Sequence, residues 1–405
     1  MKYIIRDRVL IILILFGLVL RLSVISLPGF KFDMDSWFAW AIRLNQVGFA
    51  DFYSDQIWTN YTPGYLYILK LLGFFKIIFS IPDNAFYFVL KIPSIAAEII
   101  LSILIYRLIY IKSVIWARIS AGLVLLNPSF IFNSSIWGQI DGLLALIMLL
   151  SIYFLIQKKL ILSSFLLGLA FLVKPQSIGV LPILLLFLIR NFSVKHLIQT
   201  IMPIISVILI LSLPFYTSHL LGLPQLFYNM IGDYSYTSLF AYNFWGWVGF
   251  WIKDSIVWNN LSYYQWGYIL FGLYWLLLSF LFLKKKLSIY SLATLAMLGF
   301  FFLPSRIHDR YLYPGLFFLI VSTGISKSKS LLILTGLLTL IHFLNLYYVY
   351  VYYNEIYLKL PRILYNINLY NYLDGSGKFL SLLSTVLFII ITFVVIKNDF
   401  NLKKS

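Results

Sequence analysis

Long apolar runs separated by short polar stretches dominate the chain from end to end. The runs fall near 9–27, 61–80, 86–106, 114–132, 140–156, 160–173, 176–190, 197–214, 266–283, 288–304, 311–325, 330–350 and 379–396. A helix needs about 20 apolar residues to cross a bilayer, so these are about thirteen candidate spans. Only helices and closed barrels satisfy their own backbone in lipid, and runs of this length are helical. The pattern therefore predicts an all-α polytopic membrane protein with about 12–13 transmembrane helices in one bundle. One stretch is patterned differently. After Asp35, the positions Trp37, Trp40, Ala41 and Leu44 follow helical spacing among polar neighbours, which predicts a short amphipathic helix on the membrane surface.

Composition narrows the picture. The 405 residues are 61% hydrophobic and 11% charged, which excludes an ordinary soluble domain. A net charge of +17 would fit nucleic acid, but the Lys and Arg residues sit in short loops between apolar runs, and topology explains them better. Nucleic acid is not expected as a partner. The amino terminus, Arg107 to Arg118, Lys158-Lys159, Arg190 to Lys195, Lys284 to Lys286, Lys327 to Lys329 and the tail from Lys397 read as cytoplasmic. Residues 28–60, 133–139, the Lys174-Pro175-Gln176 break, 215–265, Pro304 to Arg310 and 351–378 then face outward, and most acids lie there. A full crossing at 61–80 would put the Arg107 to Arg118 loop outside. Either 61–80 dips in and returns, or that loop is an exception to the charge rule. With no cysteine there is neither a disulfide nor a thiolate metal site. The first run lacks a small-residue cleavage site and reads as a retained span. No repeat or linker divides the chain, so 1–405 is expected to form a single membrane domain.

Four constellations carry chemistry. Asp33 and Asp35 lie in the first outer loop of a chain with only 14 acids. Asp35 is placed to cap the amphipathic helix. Asp33, two residues earlier and outside that helix, is a candidate general base, with a solvated loop acid as the alternative. The run from Pro304 to Tyr311 packs Arg306, His308 and Arg310 where a span emerges, a group able to hold a phosphate or, alternatively, to anchor to lipid headgroups. Lys174-Pro175-Gln176 interrupts an apolar stretch, as a hairpin turn or a ligand for an anionic headgroup. Between Asn133 and Asp141, amides, hydroxyls, an acid and the Trp137 ring suit a sugar, although Asp141 equally fits as the first-turn acid of the next helix. The loop from Tyr242 to Trp247, with Asn243, has similar but weaker character. His342, inside a span, reads as a hydrogen-bonded core histidine.

Taken in order, these segments resemble the GT-C superfamily of polytopic glycosyltransferases, most closely prokaryotic relatives of the second mannosyltransferase of GPI-anchor assembly. The resemblance rests on Asp33 with Trp37, Trp40 and Ala41; on Tyr61-Thr62-Pro63-Gly64-Tyr65-Leu66-Tyr67; on Trp137-Gly138-Gln139 with Asp141; on Lys174-Pro175-Gln176; and on His308-Asp309-Arg310-Tyr311. Asn60, Thr62 and Asp309 depart from the family pattern, which has an acid, a proline and a glutamate there.

The resemblance implies transfer of a hexose, mannose or a relative, from a polyprenyl-phosphate carrier to an acceptor hydroxyl at the outer face of a prokaryotic plasma membrane. It implies Asp33 as the catalytic base and Lys174, Arg306, His308 and Arg310 as ligands of the donor phosphate. Asp35, Tyr61, Trp137, Gln139, Asp141, Gln176, Asn243, Asp309 and Tyr311 would contact sugar or acceptor. No metal ligand is assigned, and a divalent cation, Mg or Mn, stays open as a cofactor. Membrane lipids are the remaining partners, and the acceptor is a glycan, lipid or protein. A lipid-linked sugar flippase is the rival class, but its polar groups should gather at mid-membrane on broken helices. A polymerase or ligase of O-antigen type is the nearer rival.

Overall fold

Each apolar run of the sequence is centred on helix in the computed structural model, which describes residues 7–53, 59–192, 195–216 and 222–402. Lys2, Arg6, the tail beyond 402, and the parts of the outer loops at 54–58 and 217–221 lie outside the described residues. In chain order the α-helices are α1 (Arg8–Val24), α2 (Lys31–Val47), α3 (Pro63–Ile78), α4 (Asp83–Tyr110), α5 (Val114–Leu125), α6 (Pro128–Ile131), α7 (Asp141–Ile156), α8 (Leu160–Val173), α9 (Leu181–Asn191), α10 (Lys195–Ser212), α11 (Gly222–Gly232), α12 (Phe244–Val248), α13 (Tyr263–Leu283), α14 (Ile289–Phe302), α15 (Tyr313–Ser326), α16 (Lys329–Tyr350) and α17 (Ile367–Leu402). Among the described residues strand is confined to four two-residue pieces, β1 (Ser238–Leu239), β2 (Val257–Trp258), β3 (Leu261–Ser262) and β4 (Ile307–His308).

By length and composition, six stretches among the described residues can cross a membrane: Asp83–Tyr110, Val114–Trp137, His196–Phe215, Tyr263–Leu283, Lys329–Tyr357 and Ile367–Asn401. Asp141–Ile156, Leu160–Val173, Pro175–Asn191 and Ile289–Phe302 are shorter apolar helices. The fold is that of an all-α polytopic membrane protein. At 61–80 the chain forms one unbroken helix of 16 residues, α3, so the alternative of a dip and return inside that segment does not hold.

The chain divides into two compact units, the boundaries falling inside α4 and α7. One comprises residues 1–30, 94–145 and 235–405. Its polar centre is a wholly buried ion pair, Arg21 Nε to Glu98 Oε2 at 2.7 Å. Two buried charges in an apolar interior cost several kcal/mol each unless every polar atom is used. Here Arg21 also donates to the carbonyls of Gly17, Val124 and Leu125. Glu98 accepts from the hydroxyls of Ser134 at 2.9 Å and Tyr313 at 2.6 Å. Four segments of the unit therefore meet at one carboxylate: α1, α4, the π-helical turn Phe132–Trp137 and the start of α15.

At the head of α1, Asp7 caps the helix by accepting from the Val9 and Leu10 amides. Arg118 of α5 pairs with Asp7 Oδ2 at 3.0 Å, and Tyr106 of α4 donates to the same oxygen. Burial opposes ionisation, yet the Arg118 and Tyr106 hydrogen bonds prevail and hold its carboxyl down at about 2.

The other unit comprises residues 31–93 and 146–234. In it α2 lies along α3, and α8 packs on both α3 and α10. Asn45 and Lys70 stitch α2 to α3 through the Lys70 and Leu44 carbonyls. Tyr67 of α3 reaches the Leu211 carbonyl of α10 at 2.9 Å.

Replacing Glu98 by Ala should strand Arg21 without its counter-charge and lower stability by about 3–5 kcal/mol; Arg21→Met with Glu98→Leu should recover most of that loss in thermal unfolding in detergent. Asp7 is depressed when folded, so its contribution is complete above the ordinary carboxylate pKa near 4. It is lost as pH falls towards 2. Wild-type melting temperature should therefore drop more steeply than that of Asp7→Asn between pH 4 and 2.

Candidate functional site

The structure corrects the beginning of the first outer loop. The α2 helix starts at Lys31, just past Pro28-Gly29, so Asp33 stands in its first turn and Asp35 inside the helix. Neither the cap position assigned to Asp35 nor the extra-helical position assigned to Asp33 holds. The reason is a local i,i+4 pair, Lys31 Nζ to Asp35 Oδ2 at 2.6 Å, which rewards helix one turn earlier than the apolar pattern indicates.

The two acids then separate by phase. At about 100° per residue they point some 200° apart. Met34, Trp37, Trp40, Ala41 and Leu44 are the buried face of α2, and Asp33 falls within that arc, at its amino-terminal end. Asp35 falls opposite. It is held by Lys31 and by the Tyr87 hydroxyl at 2.8 Å.

On the Asp33 face, Trp37 meets Tyr61 and Tyr65 edge-on at 6.2 and 5.1 Å, and Trp40 lies 5.5 Å from Tyr61. The motif around Tyr61 is fixed by the break after α8. Thr62 donates to the Leu172 carbonyl at 2.6 Å, and Pro63 opens α3 without needing an amide partner. Gly64 is required by contact: a Cβ there would stand 2.5 Å from the Leu172 carbonyl. Two residues past Leu172 comes Lys174, extended at φ −152°, followed by the 3-10 turn Pro175–Val180. Lys174 and Gln176 are both buried. The structure thus seats the Tyr61 and Lys174 motifs side by side within one unit. A lysine so buried in an apolar surround has to serve a negative partner.

In the first unit, the chain from Asn133 to Asp141 is wound more tightly than a sugar loop would be. Phe132–Trp137 is π-helical and closes on Gly138 at φ 95°, where the Gly138 and Gln139 amides share the Asn133 carbonyl. Trp137 is fully buried, stacked on Phe30 at 4.3 Å, with the Arg310 guanidinium 5.9 Å from its ring. The indole backs Arg310 by a cation–π contact. Gln139 and Asp141 are likewise buried; Asp141 heads α7 and accepts from Asn133 at 3.1 Å.

The large loop packs on the cationic run in parallel register, Ser238 with Ile307 and Leu239 with His308. Asn243 caps α12, accepting from Gly246 and donating to the Phe301 carbonyl. Its amide thus ties the loop to the end of α14. Arg306 is engaged too, paired with buried Asp254 at 2.6 Å and lying 4.9 Å over Tyr264. Its fork braces the loop. His308 sits 5.3 Å from the Tyr311 ring, and Asp309 is buried. His342 bonds to Ser129 in the core. Among the described residues no group of three or more His, Asp or Glu side chains is placed to hold a metal ion.

The sequence reading missed Arg21, Glu98 and the buried Lys91. Their signal was a lone charge inside an apolar run, for which a membrane demands a partner.

Such a fold, with charged side chains buried among apolar helices and cationic loops at helix ends, defines a polytopic membrane protein built to handle a polar group beside lipid. Residues 62–220 match the family of dolichyl-phosphate-mannose-protein mannosyltransferases, which supports a glycosyltransferase of the GT-C superfamily. The matched stretch begins at Thr62, takes in Pro63-Gly64, Trp137-Gly138-Gln139 and Lys174-Pro175-Gln176, and excludes Asp33, Tyr61 and the His308 run. No curated protein matches the chain.

In a double-mutant cycle, Arg306→Ala and Asp254→Ala should be non-additive by about 1–3 kcal/mol in thermal unfolding.

Proposed function

We propose that the protein transfers a hexose, mannose or a close relative, from a polyprenyl-phosphate carrier to an acceptor hydroxyl on the non-cytoplasmic side, with inversion in one displacement. The observation that carries this reading is the phase of α2, which puts Asp33 on the aromatic face with Trp37, Trp40 and Tyr61 and turns Asp35 away. The family match between 62 and 220 supports the donor class. As acceptor oxygen bonds to the anomeric carbon, the bond from that carbon to the phosphate oxygen breaks, and its electron pair leaves on the lipid phosphate. Asp33 takes the acceptor proton.

Lys174 is assigned to the charge that grows on the departing phosphate, since its ammonium is buried at a helix break. Tyr61 and Gln176 are assigned to sugar or acceptor in the same unit. His308 and Arg310 keep the anion-binding role in the other, with Asp309 and Tyr311 beside them in sequence, and the stack on Trp137 orients Arg310. Active-site function on the outer face and a prokaryotic plasma membrane belong to this proposal, as does a single catalytic domain over 1–405.

Purified protein should be given polyprenyl-phosphate mannose and assayed for release of polyprenyl phosphate. Asp33→Asn should lower the rate by about 10²–10⁴-fold with the melting temperature kept, while Asp35→Asn should cost less than about tenfold. Wild-type turnover by Asp33→Asn would sink the assignment of the base.

A further inference from the structure

The α8 helix carries basic residues at both ends. Lys174 follows its last turn, and Lys158-Lys159 precede its first. Its 14 residues span about 21 Å. The two basic sites are therefore held apart by a rigid rod, and a ligand headgroup at one end does not reach the other.

At the Lys158-Lys159 end, α8 and α10 leave a groove of about 950 Å³. Its lining is mostly aliphatic and aromatic, with Phe165 of α8 and Ile210 of α10 among the wall residues. Polar groups gather at one end, where Lys158 and Lys159 meet His196 from the first turn of α10. Both lysines are exposed, and neither pairs with an acid among the described residues. Lys159 leans over the Phe154 ring at 5.6 Å, which leaves its ammonium able to accept an anion. Of the six long apolar helices, α10 has its span least buried by protein, at 17%. A groove with apolar walls, a basic mouth and a lipid-facing helix as one side has the two-part chemistry of a phospholipid: acyl chain along the walls, phosphate at the mouth.

We propose that this groove is a binding site for one anionic phospholipid, its headgroup held by Lys158 and Lys159 at the end of α8 opposite Lys174. Zwitterionic lipids carry the same chains but a compensating positive charge, so the lysines select against them. The site is separate from the proposed donor site and stands whether or not Asp33 is the base.

The test is native mass spectrometry of the purified chain after exchange into detergent containing either phosphatidylglycerol or phosphatidylcholine with identical chains. Wild type should retain one phosphatidylglycerol under activation that strips phosphatidylcholine, with at least a tenfold difference in occupancy. Lys158 has a left-handed backbone, φ 60°, so Lys158→Asn keeps a residue that tolerates it. Combined with Lys159→Gln, it should abolish the preference without changing helicity. Phe165→Trp, which fills the groove and keeps both charges, should lower retention of phosphatidylglycerol independently. Equal retention of the two lipids by wild type, or undiminished phosphatidylglycerol on the Lys158→Asn, Lys159→Gln protein, overturns the proposal.

Discussion

The pair between Arg21 and Glu98 is the constraint around which the larger unit is arranged. Both side chains are wholly buried, and an ion pair in a dry interior is tolerated only when its leftover donors and lone pairs are also used. The helices supply those partners from far apart in sequence: carbonyls of α1 and α5 for Arg21, hydroxyls from the π-helical turn and from α15 for Glu98. Ser134 stands three residues before Trp137, and Tyr313 three residues after Arg310. A carboxylate with no place in the proposed chemistry thereby fixes the approach of both segments, and the Arg310 stack on Trp137 is a consequence. Tyr313 is itself wedged against Phe130 at 4.2 Å, so its hydroxyl has little freedom to look elsewhere.

What could be read from the sequence follows from what the membrane dictates locally. Apolar runs became helices because lipid leaves the backbone no other partner, and Asp141 took the first turn of α7 because a helix start welcomes an acid. The ordered motifs also survive as units: Tyr61 to Gly64 is welded to Leu172 and so to Lys174. What could not be read were partnerships between distant residues. Glu98 lies 77 positions from Arg21 and 215 from Tyr313, and nothing periodic links them. The early start of α2 was missed for a smaller reason. Hydrophobic spacing marks where a helix buries, whereas Lys31 and Asp35 extend it over a turn that buries little.

Loops rich in amides and aromatics gave the least reliable functional signal, and backbone chemistry explains why. Every bend between membrane helices leaves amides and carbonyls unpaired, and these must be satisfied inside the protein. Asn127, Asn243, Asn345 and Asn354 all spend side-chain atoms on main chain. Trp137 meets the need differently, accepting the Phe30 amide at its carbonyl while its ring stacks on the Phe30 side chain. In such loops an amide is first a repair to the helix end. Charged groups serve the backbone too, as Asp7 and Lys70 do, so what singles out Asp33, Lys174 and Arg310 is their place in the ordered motifs.

Phase along α2 separates two carboxylates in one turn. An acid on the outward side of an amphipathic helix costs nothing, and a lysine one turn away is enough to keep it there. An acid on the inward side displaces an apolar contact, and the helix loses burial for having it. Asp33 takes that position beside Trp37, Trp40 and Tyr61. Asp35, outward and held by Lys31 and Tyr87, is tied to the helix it extends, whereas Asp33 has the inward phase, and that asymmetry of position is what the proposed base rests on.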